Sequence, residues 1–215
     1  MKTMIAVPAM DQVPTYFAQS LSTLNKVGEC CVAFEIGSLV YTSRNNLARK
    51  AIELGADYVL WLDSDMVFNS DTLERMFKTL KEKDLSILTG LYFRRVQPFT
   101  PVIFDKLEMT DNECKWTDFK EVPEKELFEV GGCGFGCVLM RTDVFVDVFV
   151  KFGDFFTPIN GVGEDLSFCW RARQCGHKIY CDPSFFLGHV GNQIIGRNFY
   201  ESYKTVRAQN TCALL

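Results

Sequence analysis

An α/β fold with a central, mostly parallel twisted sheet and helices on both faces is predicted by three features of the sequence. Short all-apolar runs recur along the first half. Amphipathic segments at helical spacing separate them, and Pro or Gly closes several of the runs. With 215 residues the chain suits one large domain with a real core, residues 1–215. An apolar fraction of 47% and a charged fraction of 23% exclude wholesale disorder. The net charge of −4, without any Lys/Arg block, argues against a nucleic-acid partner. No apolar run approaches ~18 residues, so no transmembrane segment is expected.

Residues 3–7 form a short apolar run that ends at Pro8, hence a buried strand. Residues 16–27 carry Phe17, Leu21 and Leu24 at helical spacing. Residues 30–36 read as a second strand stopped at Gly37. Residues 45–54 read as a helix with Leu47, Ala48, Ala51 and Ile52 on one face and Gly55 as its stop. Residues 58–62 are a third, all-apolar strand. Asn69 or Ser70 would then cap a helix carrying Leu73, Phe77 and Leu80. Residues 85–89 are a fourth strand. Residues 1–95 thus look like a nucleotide-binding half. Residues 96–215 look mixed, with a smaller antiparallel part around 102–104 and 135–140. Helices are expected at 142–150 and 165–175 and a strand at 177–181, followed by an irregular tail.

Asp63-Ser64-Asp65 follows the third strand directly. In open α/β sheets ligands sit at the C-terminal strand ends. Side chains two apart in extended chain share a side, and two such acids repel unless a divalent cation lies between them. A simple turn with helix capping is the alternative. A sugar transferase using D-x-D under a nucleotide diphosphate fits this pair. So does a phosphatase of the haloacid dehalogenase type, whose D-x-D-x-[TV] is matched by Asp63-Ser64-Asp65-Met66-Val67, with Leu88-Thr89 resembling its second motif. A non-catalytic sugar-nucleotide or glycan binder is a third reading.

Glu164-Asp165 opens a helix after Gly161-Val162-Gly163. The pair either caps that helix or supplies a general base. His189 lies among glycines in Gly188-His189-Val190-Gly191, and imidazole plus carboxylate suits Mn²⁺. His177 reads as a surface or edge residue. Gly131-Gly132-Cys133-Gly134-Phe135-Gly136 permits close backbone approach to a ligand, or makes a tight hairpin or bulge; it is no P-loop. Nine scattered cysteines without C-x-x-C read as free thiols of a reducing cytoplasm rather than a zinc site. The run 4–10 holds Pro8 and meets Asp11, unlike a signal peptide. Cys212-Ala213-Leu214-Leu215 fits the C-a-a-X geranylgeranyl pattern without a polybasic stretch, and is equally what a cut end of a longer polypeptide would show.

The order of these motifs resembles the GT-A glycosyltransferases, especially their family 2-like branch. Pro8-Ala9 resembles the family's base-contacting strand end. Ser43-Arg44-Asn45-Asn46-Leu47-Ala48-Arg49 resembles the R-N-x-L-A stretch, seen also in the yeast mannan-polymerase type. Asp63-Ser64-Asp65 resembles the D-x-D motif, and Gly131-Gly132 through Met140-Arg141 the glycine-led acceptor-side strand. Glu164-Asp165, Gln174-Cys175-Gly176-His177, Pro183 and Gly188-His189-Val190 resemble the family's late motifs and are similar to those of the polypeptide N-acetylgalactosaminyltransferases. The resemblance implies a single GT-A, Rossmann-like domain. It implies a metal-dependent transferase moving sugar from a nucleotide-diphosphate donor, a UDP-sugar such as UDP-glucose, to a hydroxyl acceptor on a glycan, protein or lipid. Asp65 and His189 would hold Mn²⁺ or Mg²⁺, with Asp63 reaching metal or ribose. Arg44 or Arg49 would touch the phosphates. Pro8, Ala9, Glu35, Asn45 and Ser64 would belong to the donor site. Asp165 would be the base of an inverting enzyme, supported by Glu164; a retaining enzyme would not need it.

Overall fold

The structure, a computed structural model, describes residues 1–37, 39–110 and 113–212, with side chains as far as residue 207. The C-a-a-X reading of the tail therefore lies outside the described side chains. The elements in chain order are β1 (Lys2–Ala9), α1 (Thr15–Thr23), β2 (Glu29–Ile36), α2 (Val40–Glu53), β3 (Tyr58–Leu62), β4 (Met66–Phe68), α3 (Thr72–Glu82) and β5 (Ile87–Gly90). They continue with β6 (Ile103–Phe104), β7 (Lys106–Met109), β8 (Cys114–Thr117), β9 (Phe128–Val130), β10 (Gly132–Cys133), β11 (Cys137–Arg141) and α4 (Asp143–Phe152). The last are α5 (Glu164–Gln174), β12 (Ile179–Asp182), β13 (Leu187–Val190), β14 (Ile194–Ile195) and α6 (Arg197–Cys212).

Seven strands form the central sheet in the order β2-β1-β3-β11-β5-β12-β9. β2, β1 and β3 are mutually parallel, as are β5 and β12; β11 runs antiparallel between β3 and β5, and β9 is an antiparallel edge. The all-apolar strands are explained by burial on both faces. Met4, Ala6, Val59 and Trp61 point into one core, and Ile5, Val7, Leu60 and Leu62 into the other. α1 and α3 cover the second core through Phe17, Leu73 and Phe77, while α2, α4 and α5 cover the first through Leu47, Phe145 and Phe168. The abundance of Phe has a local purpose. Trp61 meets Phe135, Phe145 and Phe156 at ring separations of 5.9, 6.0 and 5.2 Å, and Phe168 stacks on Phe156 at 4.5 Å. Each such pair adds about 0.5–1.5 kcal/mol beyond burial.

Several expectations change. The first helix ends at Thr23 rather than Val27, because Leu24 is extended (ψ 123°). α2 starts at Val40, not Asn45: its first turns bury the polar Ser43, Arg44 and Asn45, where apolar spacing gives no signal. Neither Asn69 nor Ser70 caps α3, which is preceded by Asp71 without a side-chain cap bond. The tail expected to be irregular carries β13, β14 and α6, elements too short or too polar for periodicity to reveal. The glycine run 131–136 makes room for the protein itself. A Cβ on Gly134 would lie 2.2 Å from the Tyr92 hydroxyl, and one on Gly131 would lie 2.8 Å from the Asp105 carbonyl oxygen. His177 is half-buried and paired to Asp147 at 3.0 Å. The eight cysteines described are free, and no described helix is long and apolar enough to cross a membrane.

Candidate active site

A crevice of about 360 Å³ opens where β1 and β3 end, and residues from six parts of the chain line it, Arg95 beyond β5 among them. Pro8 and Ala9 close β1. Asp63, Ser64 and Asp65 follow β3. Arg44 comes from α2, Glu164 and Asp165 from the first turn of α5, and His189 from β13. Two larger hollows, of about 720 and 690 Å³, share none of these residues. The smaller crevice is the candidate because the convergent acids, the imidazole and the arginines are in it.

Register explains how the early acid meets the late imidazole. β4 pairs antiparallel with β13, so that His189 lies opposite Met66, and the Val190 amide donates to the Asp65 carbonyl at 2.8 Å. His189 Nε2 then sits 3.3 Å from Asp65 Oδ2. Its Nδ1 is 2.9 Å from the Phe93 carbonyl oxygen; a carbonyl only accepts, so Nδ1 carries the proton and Nε2 faces the carboxylate. Burial alone would raise the Asp65 pKa, but the hydrogen bond and charge of His189, with Arg95, hold it below its ordinary value. Burial alone would lower the His189 pKa, and Asp65 overrides that and raises it.

The opposite end is organised by Arg44, only 1% exposed. Its Nη2 donates to Asp63 Oδ1 at 2.9 Å, and its Nε lies 3.4 Å from Glu164 Oε1 and 3.3 Å from Asp165 Oδ1. The guanidinium lies 5.7, 5.3 and 6.0 Å from the ring centres of Trp61, Phe135 and Phe156. Burial opposes this charge, yet Asp165, Asp63 and Glu164 raise its pKa above the usual value. Asp165 Oδ2 also accepts the Phe135 amide at 3.2 Å. Burial, then the neighbouring Glu164 and Asp63 against the pull of Arg44, push the Asp165 pKa up to about 7.

Not every residue singled out in the sequence lines the crevice. Asn45 is turned inward: its Oδ1 accepts the Phe156 amide at 2.8 Å and its Nδ2 donates to Thr157. Arg49 lies over the Phe155 ring, 5.9 Å from its centre, and donates to Asn46. Glu35 accepts from Asn46 Nδ2 at 2.8 Å at the end of β2. Arg44 does line the crevice, but it is buried and held by three carboxylates, with its Nη1 left without a hydrogen-bond partner. Asp63 gives its Oδ1 to Arg44. Two further residues had no motif. Tyr92 receives the Gly136 amide at 3.1 Å and packs edge-on against His189, and Arg95 pairs with Asp65. Both follow β5, so the strand-end rule that picked out Asp63 and Asp65 points to them too.

Among the described residues no cluster of three or more His, Cys, Asp and Glu is arranged to hold a metal. Asp65 and His189 nonetheless fit a divalent cation. Bonds of roughly 2.1 Å at right angles set adjacent ligands roughly 3 Å apart, and hard cations commonly take only one or two protein donors beside substrate phosphates. The observed 3.3 Å matches that spacing with one oxygen and one nitrogen.

Sheet order, the inserted antiparallel β11 and a crevice at the strand ends make up a domain of GT-A architecture. The model of the family described as Glycosyl transferase family 2 matches residues 34–149, more than half of the chain, and the chain belongs to that family. No curated protein matches its sequence. Among solved structures it is similar to A197 from STIV, with a TM-score of 0.63 at 18% identity over 89% of this chain and 86% of that one. It is also similar to GalNAc-T7, crystallised with UDP, GalNAc and Mn²⁺, with a TM-score of 0.59 at 11% identity over 88% of this chain. The similarity spans only 43% of the GalNAc-T7 chain. At these identities the likeness concerns the fold. Family membership favours neither the dehalogenase reading nor its phospho-aspartate chemistry.

Proposed function

We propose that the protein is a metal-dependent transferase that moves a sugar from a nucleotide-diphosphate donor, a UDP-sugar, to a hydroxyl acceptor, with Mn²⁺ or Mg²⁺ held by Asp65 and His189. The observation that carries this reading is the 3.3 Å approach of His189 Nε2 to Asp65 Oδ2 inside the crevice. The cation would supply a Lewis acid that neutralises the departing diphosphate. The Phe93 carbonyl fixes the imidazole tautomer, so that Nε2 is the nitrogen presented to the site. Pro8, Ala9 and Ser64 wall the donor pocket. Asp165 takes the acceptor's proton, and an ionisation near neutrality is matched to that task. Arg44 fixes Asp165 and Glu164 against Asp63 and keeps the three acids from repelling one another apart.

Thermal shifts with UDP-, GDP- and dTDP-glucose, each with and without Mn²⁺, test the reading. UDP-glucose with Mn²⁺ at roughly 100 times its Kd should raise the melting temperature by about 5–10 °C. Asp65→Ala should lose both the shift and donor turnover while remaining folded. Undiminished Mn²⁺-dependent turnover in that variant would overturn the proposal. A donor that stabilises the protein yet survives long incubation with acceptors would identify a binder instead.

A further inference from the structure

The oxygen of Asp65 that faces His189 already has a cation of its own. Arg95 Nη1 contacts Asp65 Oδ2, the same atom that lies 3.3 Å from His189 Nε2. A divalent ion shared by Asp65 and His189 would use the oxygen nearest the imidazole, so ion and guanidinium compete for one seat. The backbone around Arg95 is pinned. Phe93 gives its carbonyl to His189 and stacks its ring on Tyr200 of α6 at 4.5 Å, and the Arg94 amide donates to the Thr100 carbonyl at 2.9 Å. On the other side Gly191 packs against it, so closely that a Cβ there would lie 3.2 Å from Arg95 Cβ. The side chain is not pinned: it is 52% exposed, against 2% for Arg44. Arg95 is thus a charged arm on a fixed base at the crevice rim.

We propose that Arg95 exchanges partners: it neutralises Asp65 when no divalent ion is present and, displaced by the ion, turns its guanidinium to the diphosphate of the donor. The inference rests on the metal and donor reading above. Two charges arriving beside a guanidinium repel it, and an exposed arginine–carboxylate pair is weak enough to be broken. The diphosphate that accompanies the ion offers the freed fork a paired set of anionic oxygens. Arg44 is buried and already held by three carboxylates, and Arg49 lies against Phe155, which leaves Arg95 as the exposed arginine of the crevice.

The test measures Mn²⁺ affinity by the electron-spin signal of the free ion, then UDP affinity by calorimetry at saturating Mn²⁺, in the wild type, Arg95→Gln, Arg95→Lys and Asp65→Asn. Arg95→Gln should bind Mn²⁺ alone about three- to tenfold more tightly, and UDP with Mn²⁺ about tenfold more weakly. Arg95→Lys, which keeps the charge without the fork, should recover part of the UDP affinity. Equal Mn²⁺ affinity in wild type and Arg95→Gln, with both binding the ion and Asp65→Asn not, overturns the exchange and leaves the metal site standing. Unchanged UDP affinity in Arg95→Gln overturns it as well. Failure of the wild type to bind Mn²⁺ brings down the metal reading and the exchange together.

Discussion

At one end of the crevice Arg44 is buried over Trp61, Phe135 and Phe156 and shared among Asp63, Glu164 and Asp165. At the other, Arg95 reaches in from solvent to a single carboxylate. Both are arginine–acid contacts, and their surroundings make them different devices. The buried cation has little water to return to, so three acids depend on it for their charge balance. The exposed one exchanges its partner for water at little cost. One end is built to stay assembled and the other to change hands.

Three substitutions sharpen or break this contrast. Arg44→Met should cost about 3–5 kcal/mol in urea denaturation, because it strands three carboxylates, whereas Arg95→Met should cost no more than about 1 kcal/mol. Equal costs would erase the distinction between the two ends. Asn45→Ala should cost about 1–3 kcal/mol by leaving the buried Phe156 amide without its acceptor, and should loosen the aromatic floor beneath Arg44. Differential scanning calorimetry, with Arg49→Ala as a near-neutral comparison on the same helix, would measure it.

The last effect is read in pH and concerns Asp165. Its folded pKa lies near 7 against an ordinary 3.8, so the folded state keeps a proton that the unfolded chain has released. The stability linked to that proton is fully present below about pH 4 and is lost as pH rises through about 7. Asp165→Asn removes the dependence. The melting temperature of the wild type minus that of Asp165→Asn should therefore fall between pH 4.5 and 7.5. A flat difference would mean that the carboxyl ionises in its usual range.

Legibility in the sequence divided along physical lines. β3 is read from the sequence residue for residue, because a strand buried on both faces must be apolar throughout. Asp63, Asp65 and Asp165 stand out as acids at the ends of such elements. Arg44 announces itself as a motif residue, but nothing local tells that it is buried: that depends on Phe135 and Phe156, far along the chain. β4 and β13 are three and four residues long and are held by pairing with strands distant or equally short, so no window along the sequence reveals them. Arg95 lies in a loop whose course is set by Gly191 and α6. Pairwise, long-range facts of this kind leave no periodic trace.

The β4–β13 pairing has a consequence for how the protein is made. The imidazole reaches Asp65 only when β13 zips against β4, a strand far earlier in the sequence. A nascent polypeptide on the ribosome carries Asp65 long before residues 187–190 supply the imidazole. Under the proposed metal reading, a chain that has not yet made residues 187–190 lacks one of the cation's two ligands.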